Sequence, residues 1–103
     1  MTATWHPVGA AADITADQPL AVLLADKQIG VFRLGGELYA LEDICPHAYA
    51  LLSSGFIDGD TIECPLHQAC FHIPTGKCTS PPAERDLATY PVKIEGDRVF
   101  IQV

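Results

Sequence analysis

Apolar residues in this chain fall into short runs of strand length: Leu20–Leu24, Ile29–Leu34, Leu38–Leu41, Phe56–Ile57, Thr61–Cys64 and Cys70–Ile73. Turn formers separate them, at Ala25-Asp26-Lys27, Gly35-Gly36, Asp58-Gly59-Asp60 and Pro74-Thr75-Gly76. That spacing predicts the hairpins of an all-β domain. Alternating apolar positions on either side of Glu95-Gly96-Asp97-Arg98 predict a hairpin over residues 90–103. Nowhere do apolar residues hold a 3.6-residue period over three turns, which argues against a helical bundle. Residues 11–19 and 80–89 read as loops, the second carrying Ser80-Pro81-Pro82-Ala83 and a short helical turn around Ala83 to Leu87. No repeat, low-complexity tract or long charge run divides the sequence, so residues 1–103 are expected to form one continuous domain.

At 103 residues there is room for one modest core and no second fold. A composition 49% hydrophobic and only 18% charged argues for a packed globule and against disorder. Thirteen acidic residues against six basic ones give a net charge of −7, which disfavours nucleic acid and anionic membranes as partners. A partner with a basic face is the better expectation, although such charge also aids solubility. The first fourteen residues contain no Lys or Arg and no long apolar run, and Ala21–Ala25 is too short to span a bilayer. The expectation is a soluble cytoplasmic protein. Without a signal for an oxidising compartment, the four cysteines read better as metal ligands than as a disulfide framework.

The chemistry is concentrated in Cys45-Pro46-His47 and Cys64-Pro65-Leu66-His67, two Cys/His pairs separated by the 16 residues from Ala48 to Glu63. A thiolate and an imidazole so close in sequence can ligate from one loop, and two such loops on adjacent hairpins can converge on one site. Two thiolates and two neutral imidazoles suit tetrahedral zinc or an iron–sulfur centre in which His replaces Cys on one iron. Structural zinc sites usually take two Cys from one loop and two His from the other. One Cys and one His from each favours the asymmetric cluster.

On these residues the sequence closely resembles the Rieske iron–sulfur family, whose motif is Cys-x-His, some fifteen to seventeen residues, then Cys-x2-His. The resemblance extends through Gly55-Phe56, Pro65, Phe71, Thr75-Gly76-Lys77 and a Ser80-Pro81-Pro82-Ala83 segment like the family's proline loop. It implies a [2Fe-2S] cluster, one per chain, with Cys45 and Cys64 on the inner iron and His47 and His67 on the outer. The implied fold is two or three stacked antiparallel sheets, with a cluster-binding subdomain from about Asp43 to Ser80 inserted in a larger base. More narrowly, the chain is similar to ferredoxin components of bacterial aromatic-ring-hydroxylating dioxygenase systems. That implies a one-electron carrier, not an enzyme, running between a flavin-dependent NAD(P)H reductase and a terminal Rieske oxygenase, and working as a monomer. A Rieske small subunit of a nitrite reductase, a monooxygenase ferredoxin, and, from another class, a zinc-stabilised interaction module are the alternatives. High-potential members of the family carry a disulfide between the cluster loops and a Ser and a Tyr after the last ligand. Here Ala50 and Leu66 stand at the disulfide positions and Ala69 and Phe71 at the hydroxyl positions. Hydrogen bonds to sulfur favour the more negative, reduced cluster, so their loss places the potential toward the lower end of roughly −150 to +300 mV.

The remaining candidates read as structural. Cys70 and Cys78 flank a turn and are expected to be buried or half-buried thiols, not a disulfide or a redox-sensing pair. His72, on a strand, need not face the metal, and His6 beside Trp5 and Pro7 reads as a surface or packing residue. Thr75-Gly76-Lys77 lacks the earlier glycine and the following hydroxyl of a phosphate loop, so it is a turn. Pro46 and Pro65 stiffen the ligand loops, with Pro81 and Pro82 as a cover. A Cys–His nucleophile would need a cleft and an orienting group that nothing here suggests.

Overall fold

The computed structural model describes residues 4–45, 50–65, 69–80 and 85–103. Eleven strands among them form three antiparallel sheets. In chain order they are β1 Trp5–Ala10, β2 Leu20–Leu24, β3 Lys27–Leu34, β4 Glu37–Glu42, β5 Phe56–Asp58, β6 Thr61–Glu63, β7 Cys70–His72, β8 Cys78–Ser80, β9 Thr89–Tyr90, β10 Val92–Glu95 and β11 Arg98–Gln102. The sheet orders are β1-β11-β10, β2-β3-β4-β9 and β5-β6-β7-β8. The all-β fold class expected from the sequence is therefore the one observed.

Burial explains why the strands read as they do. In β3, Ile29 and Val31 belong to a cluster of buried residues with Val99 and Ile101 of β11, whereas Phe32 joins a second cluster with Ile62 and Phe71 of the β5–β8 sheet. Leu38 and Ala40 of β4 face the first cluster and Leu41 the second. The β2-β3-β4-β9 sheet is thus the middle layer, apolar on both faces, and a strand covered twice reads as a continuous hydrophobic run. The β5–β8 sheet is covered once. Its paired residues Ile57, Ile62, Phe71 and Cys78 form an inward row, and Phe56, Glu63 and Cys70 form an outward one.

Three strands escaped the sequence pattern. β1 carries Pro7 and Gly9, which disguise its period; it is an edge strand with a register shift between those residues, where proline is tolerated. β8 and β9 are short and held by tertiary pairing, β9 through Ala40↔Tyr90 and Leu41↔Thr89. Consequently the predicted 80–89 loop is bounded by strand residues at both ends. Of the expected turn from Ala83 to Leu87, residues 85–87 are not helical, and Ala83 lies outside the described residues. Within 11–19, Ala11–Asp13 form a short 3-10 turn and Thr15 bridges Gln18. The Arg33 guanidinium donates to the carbonyls of Ile14 and Ala11, closing that segment over the middle sheet.

Candidate metal centre

Cys45 follows the end of β4 and Cys64 directly follows β6, and both are buried in the same apolar cluster, with relative exposures of 2% and 0%. Leu52, Ala69 and Phe71 belong to that cluster and are fully buried. Two cysteines far apart in sequence are thus brought into one dry part of the core. His47 and His67, with Pro46, Leu66, Pro81 and Pro82, lie outside the described residues.

The two loops are closed in the same way. The Cys45 N–H donates to the Ala50 carbonyl at 3.0 Å and the Cys64 N–H to the Ala69 carbonyl at 2.8 Å, so each cysteine is tied to the fifth residue after it. The first loop has additional braces. Ile44 bridges Leu51, and the Leu52 N–H donates to the Asp43 carbonyl at 2.6 Å. The Asp43 carboxyl is fully buried and accepts from the Ser53 N–H and the Ser53 hydroxyl, both at 2.7 Å. Burial raises its pKa from its ordinary value, and the two Ser53 bonds partly oppose that rise.

Residues 85–88 are fastened to β4 and to the β7–β8 hairpin. The Arg85 guanidinium meets the Glu42 carboxylate through two bonds, at 2.6 and 2.8 Å, and the Ala88 N–H adds a third at 3.1 Å. Arg85 holds the Glu42 pKa below its usual value, against the opposing effect of burial. Asp86 accepts from the Cys78 N–H at 2.8 Å, and the Leu87 N–H donates to Gly76 at 2.7 Å. Glu42, Arg85 and Asp86 did not stand out in the sequence. A bidentate Glu–Arg pair 43 residues apart leaves no local signature.

One His72 ring nitrogen is 2.9 Å from the Asp60 carboxylate and the other 2.8 Å from the Thr75 hydroxyl. These contacts join the β5–β6 and β7–β8 turns, at the end of the sheet opposite the loop that starts at Cys64. His6 is half-buried on β1, paired with Ile101. Cys70 and Cys78 are both half-buried, but the register pairs Cys78 with Phe71 and Cys70 with Ser80. Their side chains therefore leave opposite faces of the sheet, which is incompatible with a disulfide between them. Thr75-Gly76 is a turn, with Gly76 at φ +74°.

The donor set fits a thiolate-held metal group: two buried soft ligands at the mouths of two matched loops, in surroundings that exclude water. Among the described residues no helix is long and apolar enough to cross a membrane.

Residues 4–91 match the family model for the Rieske [2Fe-2S] domain. The chain is 41% identical over 101 residues to an anthranilate 1,2-dioxygenase ferredoxin subunit from Burkholderia cepacia, covering 98% of this chain and 94% of that one. Among solved structures it superposes on the Sphingomonas yanoikuyae B1 ferredoxin with a TM-score of 0.91 at 32% identity, over 97% of this chain and 99% of the other. It also resembles a chain in a complex of reduced oxygenase and oxidized ferredoxin of carbazole 1,9a-dioxygenase, with a TM-score of 0.87 at 36% identity, over 94% and 91% of the two chains.

Proposed function

This chain belongs to the Rieske [2Fe-2S] family, and from that premise we propose that it carries single electrons from a flavin-dependent NAD(P)H reductase to a terminal aromatic-ring-hydroxylating oxygenase. Its relatives are ferredoxin components of dioxygenase systems, which are carriers and not the catalytic subunits. The cofactor is a Rieske-type [2Fe-2S] cluster. The observation that carries the reading furthest is the pair of buried cysteines at the bases of two identically closed loops.

Cys45 and Cys64 hold the inner iron and His47 and His67 the outer one, within a subdomain from about Asp43 to Ser80. When bound, the cluster takes up and releases one electron at a time. The chain's own contribution is electrostatic and steric. Leu52, Ile62 and Phe71 share one buried apolar cluster with Cys45 and Cys64, so both cysteines sit out of reach of bulk water. Ala69 and Phe71 are both fully buried and offer no hydroxyl to a sulfur, which supports a potential low within the family. The carrier works in the cytoplasm, as a monomer, and docks on the two proteins in turn. A terminal oxygenase as one partner is consistent with the fold it shares with the ferredoxin of the carbazole dioxygenase complex.

Stepwise anaerobic reduction followed by electron paramagnetic resonance tests this reading. The expected result is a rhombic Rieske-type signal emerging below zero millivolts at neutral pH. His67→Ala is expected to abolish it, and an unchanged spectrum in that variant would remove the ligand assignment. Metal-replete protein that contains no labile sulfide and gives no signal would return the zinc-stabilised module.

A further inference from the structure

Asp43 is the one charged residue among those described whose side chain is fully buried. Its backbone N–H donates to the Gln28 carbonyl of β3 at 2.9 Å, so it is fixed to the middle sheet. From there it grips the segment Leu52–Ser54 by three bonds, from the Leu52 N–H to its carbonyl and from the Ser53 N–H and hydroxyl to its two carboxyl oxygens. The middle sheet makes space for it: a Cβ on Gly30 would lie 2.7 Å from Asp43 Oδ1.

The segment so held leads on to the second cysteine. The Gly55 N–H donates back to the Leu52 carbonyl at 2.8 Å, and Gly55 presses so closely on β6 that a Cβ there would lie 2.1 Å from the Glu63 carbonyl oxygen. Glu63 directly precedes Cys64, and Leu52 is buried in the cluster that contains both cysteines. A continuous set of contacts therefore runs from Asp43, two residues before Cys45, through Ser53 and Gly55 to the residue before Cys64. Burying a carboxyl costs free energy that an apolar side chain would not. What the acid supplies instead is direction, two acceptors aimed at one serine.

On the reading that Cys45 and Cys64 hold the cluster, we infer that Asp43, acting through Ser53, is a positioning residue that sets the separation of the two cysteine loops. Ligand-orienting partners of this kind, when removed, typically cost about 10- to 100-fold in metal affinity. The test compares cluster-loaded wild type, Asp43→Ala, Asp43→Asn, Ser53→Ala and Cys45→Ser. It reads the rate of iron loss to a ferrous chelator at a temperature where circular dichroism shows every variant folded, and the g-values of the reduced protein. Asp43→Ala is expected to lose iron at least about tenfold faster than wild type and to shift or broaden the g-values. Ser53→Ala is expected to fall between the two. Asp43→Asn still accepts from the Ser53 N–H and is expected to restore the g-values and most of the retention.

A merely structural role would lower thermal stability and leave g-values and iron loss as in wild type, and that result for Asp43→Ala overturns the inference. If Asp43→Ala does not fold, Ser53→Ala decides in the same way, faster loss supporting the inference and an unchanged rate overturning it. Cys45→Ser separates the two levels: normal loading there removes the ligand reading itself. Loss of the cluster in Cys45→Ser, with native behaviour in Asp43→Ala and Ser53→Ala, overturns the positioning role alone.

Discussion

Two residues show how much a single side chain decides here. Glu42 fastens the segment beyond the prolines to β4 through Arg85 and the Ala88 N–H. Its pKa is lowered in the folded state, so the stability it adds is present above its unfolded pKa and is lost as pH falls through the folded one. Glu42→Gln is expected to cost about 1 kcal/mol near neutral pH, a modest value because the Arg85 side chain is 55% exposed. Chemical denaturation at several pH values should show the gap from wild type closing as pH drops below about 4; a constant gap would deny the ion pair its role. Phe71, beside the cysteines in the core, has the opposite character, since it packs and donates nothing. Ala69→Ser with Phe71→Tyr is expected to raise the midpoint potential. If each hydroxyl bonds the reduced cluster about 1 kcal/mol more strongly than the oxidised, the rise is roughly 40 mV apiece. Redox titration of the double variant would show a midpoint unmoved or lowered if the argument is wrong.

Strands and turns place those side chains, and the turns differ in what they demand. Gly59, in the β5–β6 turn, has φ +63° with open space where a Cβ would go. Gly76, in the β7–β8 turn, has φ +74°, and a Cβ there would lie 2.5 Å from the Leu87 carbonyl oxygen. Alanine at Gly59 meets only the left-handed backbone penalty, about 1–2 kcal/mol. At Gly76 the same penalty is joined by displacement of the Leu87 strap, so Gly76→Ala is expected to cost about 2 kcal/mol more than Gly59→Ala. Urea titrations of the two variants measure the difference, and equal midpoints would show that the strap yields freely. The Ala25-Asp26 turn between β2 and β3 holds both residues at positive φ, 49° and 64°, the geometry a two-residue hairpin requires even without glycine.

For the whole molecule, charge is the property that matters to a carrier. On the proposed ligation, two ferric irons and two sulfides add +2 and two ligand thiolates −2, so the loaded oxidised protein keeps its −7, and one added electron makes it −8. Association with a basic docking face is then steered by long-range attraction that salt screens, the Debye length being about 10 Å at 0.1 M. The rate of electron transfer at limiting partner concentration is expected to fall about tenfold between low and near-molar salt. Stopped-flow traces giving a flat salt profile would assign the acidity to solubility alone.

How much of this was legible along the chain depended on how local each cause is. Hairpins β2–β3–β4 and β10–β11 could be read because their turns and periods are local, and Cys45-x-His47 and Cys64-x2-His67 could be proposed as ligand pairs because donor type and spacing are local too. β1, β8 and β9 could not, since a proline, a bulge or a two-residue length erases the period and only a distant partner strand restores the hydrogen bonds. The same holds for the residues that shape the site. Asp43 with Ser53 and Glu42 with Arg85 are ordinary in sequence, Gly55, set against Glu63, is marked there only by the family resemblance, and all three pairings form only when the sheets stack. The sequence by itself determined the chemistry, because donor atoms are a property of residues. The tertiary structure alone decided which thiols are dry, which loops are braced and which faces meet, because burial and direction are relations between distant parts of the chain.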